Sequence, residues 1–159
     1  MIIRISIFLI VLFSSVCAVF AQERSVAITI DDLPVVSTRK DLANRRKITK
    51  KLMNHIAKAK VPVIGFVNEN KLYSNGERDQ EQIDLLRRWT TAGLELGNHT
   101  YSHISLHSKG LEEYEADLIK GETITAELLA EKGKKLRFFR HPYLMTGLTP
   151  DVKTGLAKF

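Results

Sequence analysis

The sequence is short of covalent staples and of long apolar runs. Its one cysteine, Cys17, lies in the N-terminal apolar stretch, so the body of the chain has no disulfide and must bury an ordinary hydrophobic core. The longest apolar run, Ile5 to Phe20, is short against the ~20 residues a spanning helix needs. Nothing after it approaches that length, which argues against a polytopic membrane protein. No internal repeat, low-complexity linker or composition break divides the rest, so a solenoid or multidomain array is excluded and one domain is expected.

What the N-terminus does contain is an address. Arg4 supplies a positive start, the uncharged run follows, and Val19-Phe20-Ala21 ends it with small residues at the −3 and −1 positions of a cleavage site. Residues 1–21 therefore read as a secretory signal peptide, with 22–159 as the mature domain and a secreted or periplasmic destination. Val16 is bulky where a lipoprotein signal wants a small residue, which disfavours lipidation of Cys17. Once the signal is cleaved, no stable membrane insertion is expected. The net charge is +6, of which only Arg4 leaves with the signal, and such a protein would tolerate anionic cell-wall glycans. Arg45-Arg46-Lys47 with Lys50-Lys51 spans the polar side of a helix without interleaved aromatics, so a solvated face is expected and nucleic acid is not.

Periodicity alternates strand and helix. Ser25–Ile30 predicts a strand stopped by Asp31-Asp32-Leu33-Pro34, Asn44–Lys60 a helix with Ile48, Leu52, Ile56 and Ala59 on one stripe, and Val61–Val67 a buried strand. Asp79–Ala92 predicts a helix capped by Asp79 and stopped by Gly93, and a short strand at Leu94–Leu96 follows. Leu111–Lys132 predicts one long helix, Leu136–Phe139 a fourth strand, and Thr149-Pro150 a helix start. Such alternation implies an α/β fold with a parallel sheet covered by helices.

Three polar clusters each follow a predicted strand: Asp31-Asp32, His99-x3-His103 and Arg140-His141-Pro142-Tyr143. Loops at the C-terminal ends of parallel strands meet on one face, so these clusters are expected to converge. On a helix, the two imidazoles would share a face. Two imidazoles and a carboxylate make a three-ligand site with an open position, the arrangement used for hydrolysis. Adjacent carboxylates on a strand are expected to point apart. Among the remaining candidates, His55 falls in the first predicted helix, His107 beyond His103, and Trp89 in a helix as a core residue.

The order Thr29-Ile30-Asp31-Asp32, His99-Thr100-Tyr101-Ser102-His103 and Phe139-Arg140-His141-Pro142-Tyr143 resembles the first three motifs of the polysaccharide deacetylase (NodB-homology) family, T-F-D-D, H-[S/T]-x-x-H and R-x-P-Y. The resemblance runs from about Ser25 to the chain end. It implies a distorted (β/α) barrel, here partial, with the C-terminal strands missing, and metal-dependent deacetylation of an N- or O-acetylated glycan. It also implies roles: Asp31 as general base; Asp32, His99 and His103 as ligands of a divalent metal, zinc first, with cobalt or nickel as alternatives; Arg140 as the partner orienting Asp31; Tyr143 as a backbone donor to the oxyanion, with Pro142 shaping its loop.

Leu33-Pro34 replaces the family's glycine after the aspartates, and Ile30 replaces its commoner phenylalanine. No segment matches the fourth motif or the Leu-x-His segment that supplies the general acid; both are expected beyond Phe159. His141 fills a variable position of the third motif and is expected to line the groove. Two other functions fit the same residues: hydrolysis of another non-peptide C–N bond, such as a cyclic amide or imide, and a non-catalytic secreted glycan-binding domain.

Overall fold

The computed structural model describes residues 25–39 and 41–159; the signal-peptide reading of residues 1–21 lies outside them. The frame is a parallel sheet of three strands, β1 (Ile28–Leu33), β2 (Val63–Val67) and β5 (Glu95–Asn98), in the order β1-β2-β5. The helices α1 (Leu42–Ala59) and α2 (Gln80–Thr91) are the crossovers between these strands. A small antiparallel hairpin, β3 (Tyr73–Ser74) with β4 (Glu77–Arg78), and a 3-10 turn at Glu69–Leu72 separate β2 from α2. Beyond β5 come α3 (Leu111–Lys120), α4 (Thr123–Ala130), a 3-10 turn at Pro142–Leu144 and α5 (Pro150–Lys158). This is a mixed α/β fold with an open parallel sheet, part of a distorted (β/α) barrel.

Local chemistry sets most of these boundaries. Asp41 accepts from the Asn44 N–H at 2.8 Å and starts α1 two residues earlier than the apolar stripe predicts. Asp79 caps α2 through the N–H groups of Glu81 and Gln82, and Thr149 with Pro150 opens α5, both as expected. The core joins Leu33, Val63 and Val67 of the first strands to Ile83, Leu86 and Trp89 of α2 and to Leu128 and Leu129 of α4, all buried. Trp89 is fully buried, as its helical position predicts. Gly65 in mid-β2 leaves room for Leu33: an added Cβ would collide with its Cδ1 and lie 3.2 Å from the Trp89 ring.

Four expectations need correction. Asp31-Asp32 do not stop β1 but lie within it. Ile30 pairs with Gly65 and Leu33 with Val67, so β1 holds one residue more than β2 over this stretch, a bulge. The strand continues because Leu33 is needed in the core.

The predicted helix 111–132 is two helices. The break falls at Gly121-Glu122, where the buried Glu69 carboxylate accepts from the N–H groups of Ile124 and Thr125 at 3.0 and 2.6 Å and starts α4 from outside. The carboxylate there occupies the positive end of the helix dipole.

The predicted fourth strand, 136–139, makes one parallel bridge, Asn98 to Phe139. Upstream the segment is tied to the sheet by side chains instead, with Lys134 Nζ 2.9 Å and Arg137 3.6 Å from Glu95 Oε1.

Finally, the strand predicted at Leu94–Leu96 runs on through Asn98 and delivers His99 directly to the strand end. Among the described residues, no helix is long and apolar enough to cross a membrane.

Candidate metal centre and active site

The C-terminal ends of β1, β2 and β5 and the segment bridged to β5 bring together every residue the three motifs nominate. Asp32, His99 and His103 each offer one ligand atom, and these atoms lie within 4.8 Å of one another. His103 Nε2 is 3.5 Å from Asp32 Oδ1, and the two imidazoles stand edge to face with centroids 5.0 Å apart.

The histidines are not on a helix. Residues 99–105 form a loop in which Thr100 and His103 take left-handed backbone angles, φ 62° and 57°. The loop is held by its surroundings rather than by its own ladder. Asn98 Oδ1 accepts from Thr100 N–H at 2.7 Å, while Asn98 Nδ2 donates to the Leu118 carbonyl at 2.8 Å. Asn68 Nδ2 donates to the His99 carbonyl at 2.6 Å, and the Asn70 N–H donates to that of Tyr101 at 3.1 Å. Asp117 receives the N–H groups of Tyr101 and Ser102 at 3.0 and 2.9 Å. Gly121 permits this approach, since an added Cβ would lie 2.7 Å from the Thr100 carbonyl carbon.

His99 is 2% exposed, and its Nδ1 donates to the Arg140 carbonyl at 2.8 Å. A carbonyl can only accept, so Nδ1 carries the proton and Nε2 keeps its lone pair for a metal. Burial pulls the His103 imidazole below its ordinary value, with the Asp32 carboxylate opposing and His99 adding to the drop. The His103 imidazole is thereby suited to the neutral, ligating form. One carboxylate and two imidazoles form a divalent-metal triad; the donor set fits zinc, and cobalt or nickel as well.

Asp31 is held by a different partner from Asp32. Arg140 Nη1 donates to Asp31 Oδ1 and Oδ2 at 3.1 and 3.3 Å and to Thr29 Oγ1 at 2.8 Å. The Arg140 guanidinium also lies 5.1 Å over the Phe66 ring. The division between the two aspartates is expected from the strand, but its cause is the bulge, which puts Asp32 at φ 65°. Pro142 is buried and opens the 3-10 turn that carries Tyr143, whose backbone is left-handed at φ 57°. The Tyr143 ring packs edge-on against His103, with centroids 4.5 Å apart. Five of the seven non-glycine residues with positive φ, among the described residues, lie at the bulge of β1 or on these loops. Such angles cost about 1 kcal/mol or more each and persist where surrounding structure imposes them.

His103 and Tyr143 line an open cavity of about 490 Å³ together with Ser105, His107, Lys109 and Met145. His141 does not line this cavity; its Nδ1 is 2.9 Å from the buried Tyr114 hydroxyl, and its ring packs on Phe139. Burial lowers the His141 pKa, and the His107 ring lowers it further. His55 is exposed on α1. In the basic group, Arg45 donates to Gln82 and Arg46 to Glu81, bracing α1 on α2.

Motif reading misses the segment Asn68-Glu69-Asn70-Lys71, which touches the histidine loop, α4 and Asp32. The same rule that places function after strands applied to it, because it follows β2 directly. It contains one carboxylate and no imidazole or thiol, so residue type alone did not raise it.

A family profile described as polysaccharide deacetylase matches residues 19–154. The peptidoglycan-N-acetylglucosamine deacetylase of Bacillus cereus is 33% identical over 122 residues, which cover 77% of this chain and 37% of that protein. Among solved structures, a CE4 family pseudoenzyme from Bacillus anthracis matches with a TM-score of 0.61 at 18% identity, over 87% of this chain and 41% of that one. The peptidoglycan deacetylase PdaC of Bacillus subtilis matches with a TM-score of 0.59 at 22% identity, over 84% and 55%. Identities at that level speak for the fold. The chain thus spans 37% of the length of that Bacillus cereus protein. With the profile covering most of the sequence and the three motifs converging on one site, the chain belongs to the polysaccharide deacetylase family.

Proposed function

We propose that the protein is a metal-dependent hydrolase that removes acetyl groups from an N- or O-acetylated glycan. The observation that carries this reading is the placement of Asp31, gripped by Arg140, on the strand whose next residue belongs to the metal triad. Asp32, His99 and His103 would hold a divalent ion, zinc by preference, which would supply Lewis acidity at the acetyl carbonyl. Asp31 accepts the proton of the attacking water, and Arg140 keeps its carboxylate turned toward that task. The Tyr143 N–H, on a turn shaped by Pro142, donates to the oxyanion, a contribution of about 3 kcal/mol per donor in other acyl-transfer sites. The exposed Tyr143 ring and the adjoining cavity offer a sugar a flat apolar surface flanked by hydroxyls and imidazoles. The signal-like residues 1–21 support export, with the deacetylase domain in 22–159. A peptidoglycan glycan is one substrate class to test, given the activity of the Bacillus cereus relative.

The test is acetate release from acetylated chito-, xylo- and peptidoglycan oligosaccharides, by this chain and by the longest form its gene encodes, with and without added zinc. Zinc-dependent release from any of them supports the reading. Turnover of cyclic amides without acetate release would replace it with the C–N hydrolase. Oligosaccharide binding with no turnover in either form would replace it with a glycan-binding domain.

A further inference from the structure

Lys71 enters the metal site from the 3-10 turn after β2, and no motif or proposed catalytic role accounts for it. Its Nζ donates to Asp32 Oδ1 at 3.2 Å, to the Asp32 carbonyl at 3.0 Å and to Asn68 Oδ1 at 3.2 Å. Three acceptors for three N–H bonds saturate the ammonium, so its position is set. Two of the three belong to Asp32, whose backbone takes a left-handed φ of 65° at the bulge in β1. The third, Asn68, holds the histidine loop through the His99 and Thr100 carbonyls. The Asp32 oxygen that meets Lys71 is also the one nearest His103 Nε2, at 3.5 Å. A positive charge therefore sits on the carboxylate oxygen that a divalent ion would share.

We propose that Lys71 is a positioning residue that stands in for the metal: it holds Asp32 in its ligating conformation in the metal-free protein and opposes the incoming cation. This rests on the assignment of Asp32, His99 and His103 as the metal triad. Without metal, Lys71 supplies the charge and hydrogen bonds that keep a strained carboxylate in place. With metal bound, the ligand bonds do that holding, and the contribution of Lys71 becomes redundant while its charge repels the ion. Lys71 and Asp32 are each about one-third exposed, so solvent screens that repulsion only in part. A group that stabilises the metal-free state more than the bound state weakens binding by linkage. Its removal should therefore lower stability without metal and raise metal affinity, a pair of opposite signs that a merely structural lysine does not produce.

The experiment is calorimetric titration of the full chain with zinc and with cobalt, and thermal unfolding of the metal-free form, for the wild type, Lys71→Met, Lys71→Gln and Lys71→Arg. His99→Gln serves as the control that locates binding at the triad. The expected result is at least tenfold tighter binding in Lys71→Met and Lys71→Gln, a lower metal-free Tm in both, and wild-type affinity in Lys71→Arg. Should Lys71→Met not fold, Lys71→Gln keeps donors to its neighbours and still removes the charge. Unchanged or weaker binding in the neutral variants, with normal binding in the wild type, overturns the role of Lys71 and leaves the triad standing. A wild type that binds no metal, or a His99→Gln variant that binds as well as wild type, overturns the triad assignment and this proposal with it.

Discussion

Arg140 Nη1 lies 3.1 Å from Asp31 Oδ1, joining residues 109 positions apart and fixing the carboxylate that adjoins the metal triad. The same nitrogen holds Thr29 Oγ1, on the same face of β1, so one guanidinium grips two alternate residues of the strand. Arg140→Gln is expected to keep metal content and lower kcat by roughly 10²-fold, the usual penalty for a misplaced reacting group. Metal analysis alongside acetate release checks this, and loss of metal with activity would mean that Arg140 supports the ligands instead.

Substitutions at the two adjacent aspartates should separate cleanly. Asp31→Asn is expected to bind metal with wild-type stoichiometry while turnover falls by about 10²- to 10⁴-fold, the range for a lost general base. Asp32→Asn is expected to lose stoichiometric metal. Equal metal loss in both variants would sink the division of roles that the bulge creates.

Asn68 is expected to matter for stability more than its lack of chemistry suggests. Asn68→Ala leaves the buried His99 and Thr100 carbonyls without that donor, at about 1–3 kcal/mol for each unsatisfied group. Urea unfolding would read the loss. A change within ~0.5 kcal/mol would show that the histidine loop is held by Asn70, Asn98 and Asp117 without it.

Gly121→Ala tests whether the α3–α4 break serves the metal site. The added Cβ would lie 2.7 Å from the Thr100 carbonyl carbon and 3.1 Å from Asn98 Oδ1. Overpacking of this kind costs about 1–3 kcal/mol, and here the strain falls on the loop carrying both histidines. Weaker zinc binding together with lower stability is the expected pair; lower stability with unchanged affinity would place the strain in α4 instead.

The histidines set one pH dependence of stability. Burial holds His103 and His141 below their ordinary value of 6.5, so between the folded and unfolded values the unfolded chain binds more protons. Their contribution is therefore full above pH ~6.5 and is lost as pH falls through the folded values. Denaturant unfolding of the metal-free chain should show stability declining as pH falls below the ordinary imidazole value of 6.5, and a shallower decline in His141→Gln. An unchanged slope in that variant would remove His141 from the account.

Residue type and spacing picked out the three clusters, because metal ligation and acid–base chemistry draw on few side chains and β/α alternation puts their loops on one face; the family resemblance then named the seven site residues within them. The caps at Asp79 and Thr149 were legible for a similar reason, since a helix start is decided within three or four residues. Spacing misled where the partner is distant. His99-x3-His103 looks helical, yet its carbonyls and N–H groups are taken by Asn68, Asn70, Asn98 and Asp117, so the loop prevails. The 111–132 pattern looks like one helix, yet Glu69, more than fifty positions upstream, starts a second one within it.

The sequence by itself determined the family, the metal donors and the strand–helix order, all of which are written in local pattern and side-chain chemistry. Only the tertiary structure decided how the donors are held: the bulge that turns Asp32 away from Asp31, the carbonyl that commits His99 Nδ1, and the ammonium of Lys71 on Asp32. Each of these depends on pairings between segments about 35 to 40 positions apart or aligned strand by strand, and a register or a hydrogen bond across that span leaves no periodicity in the chain to read.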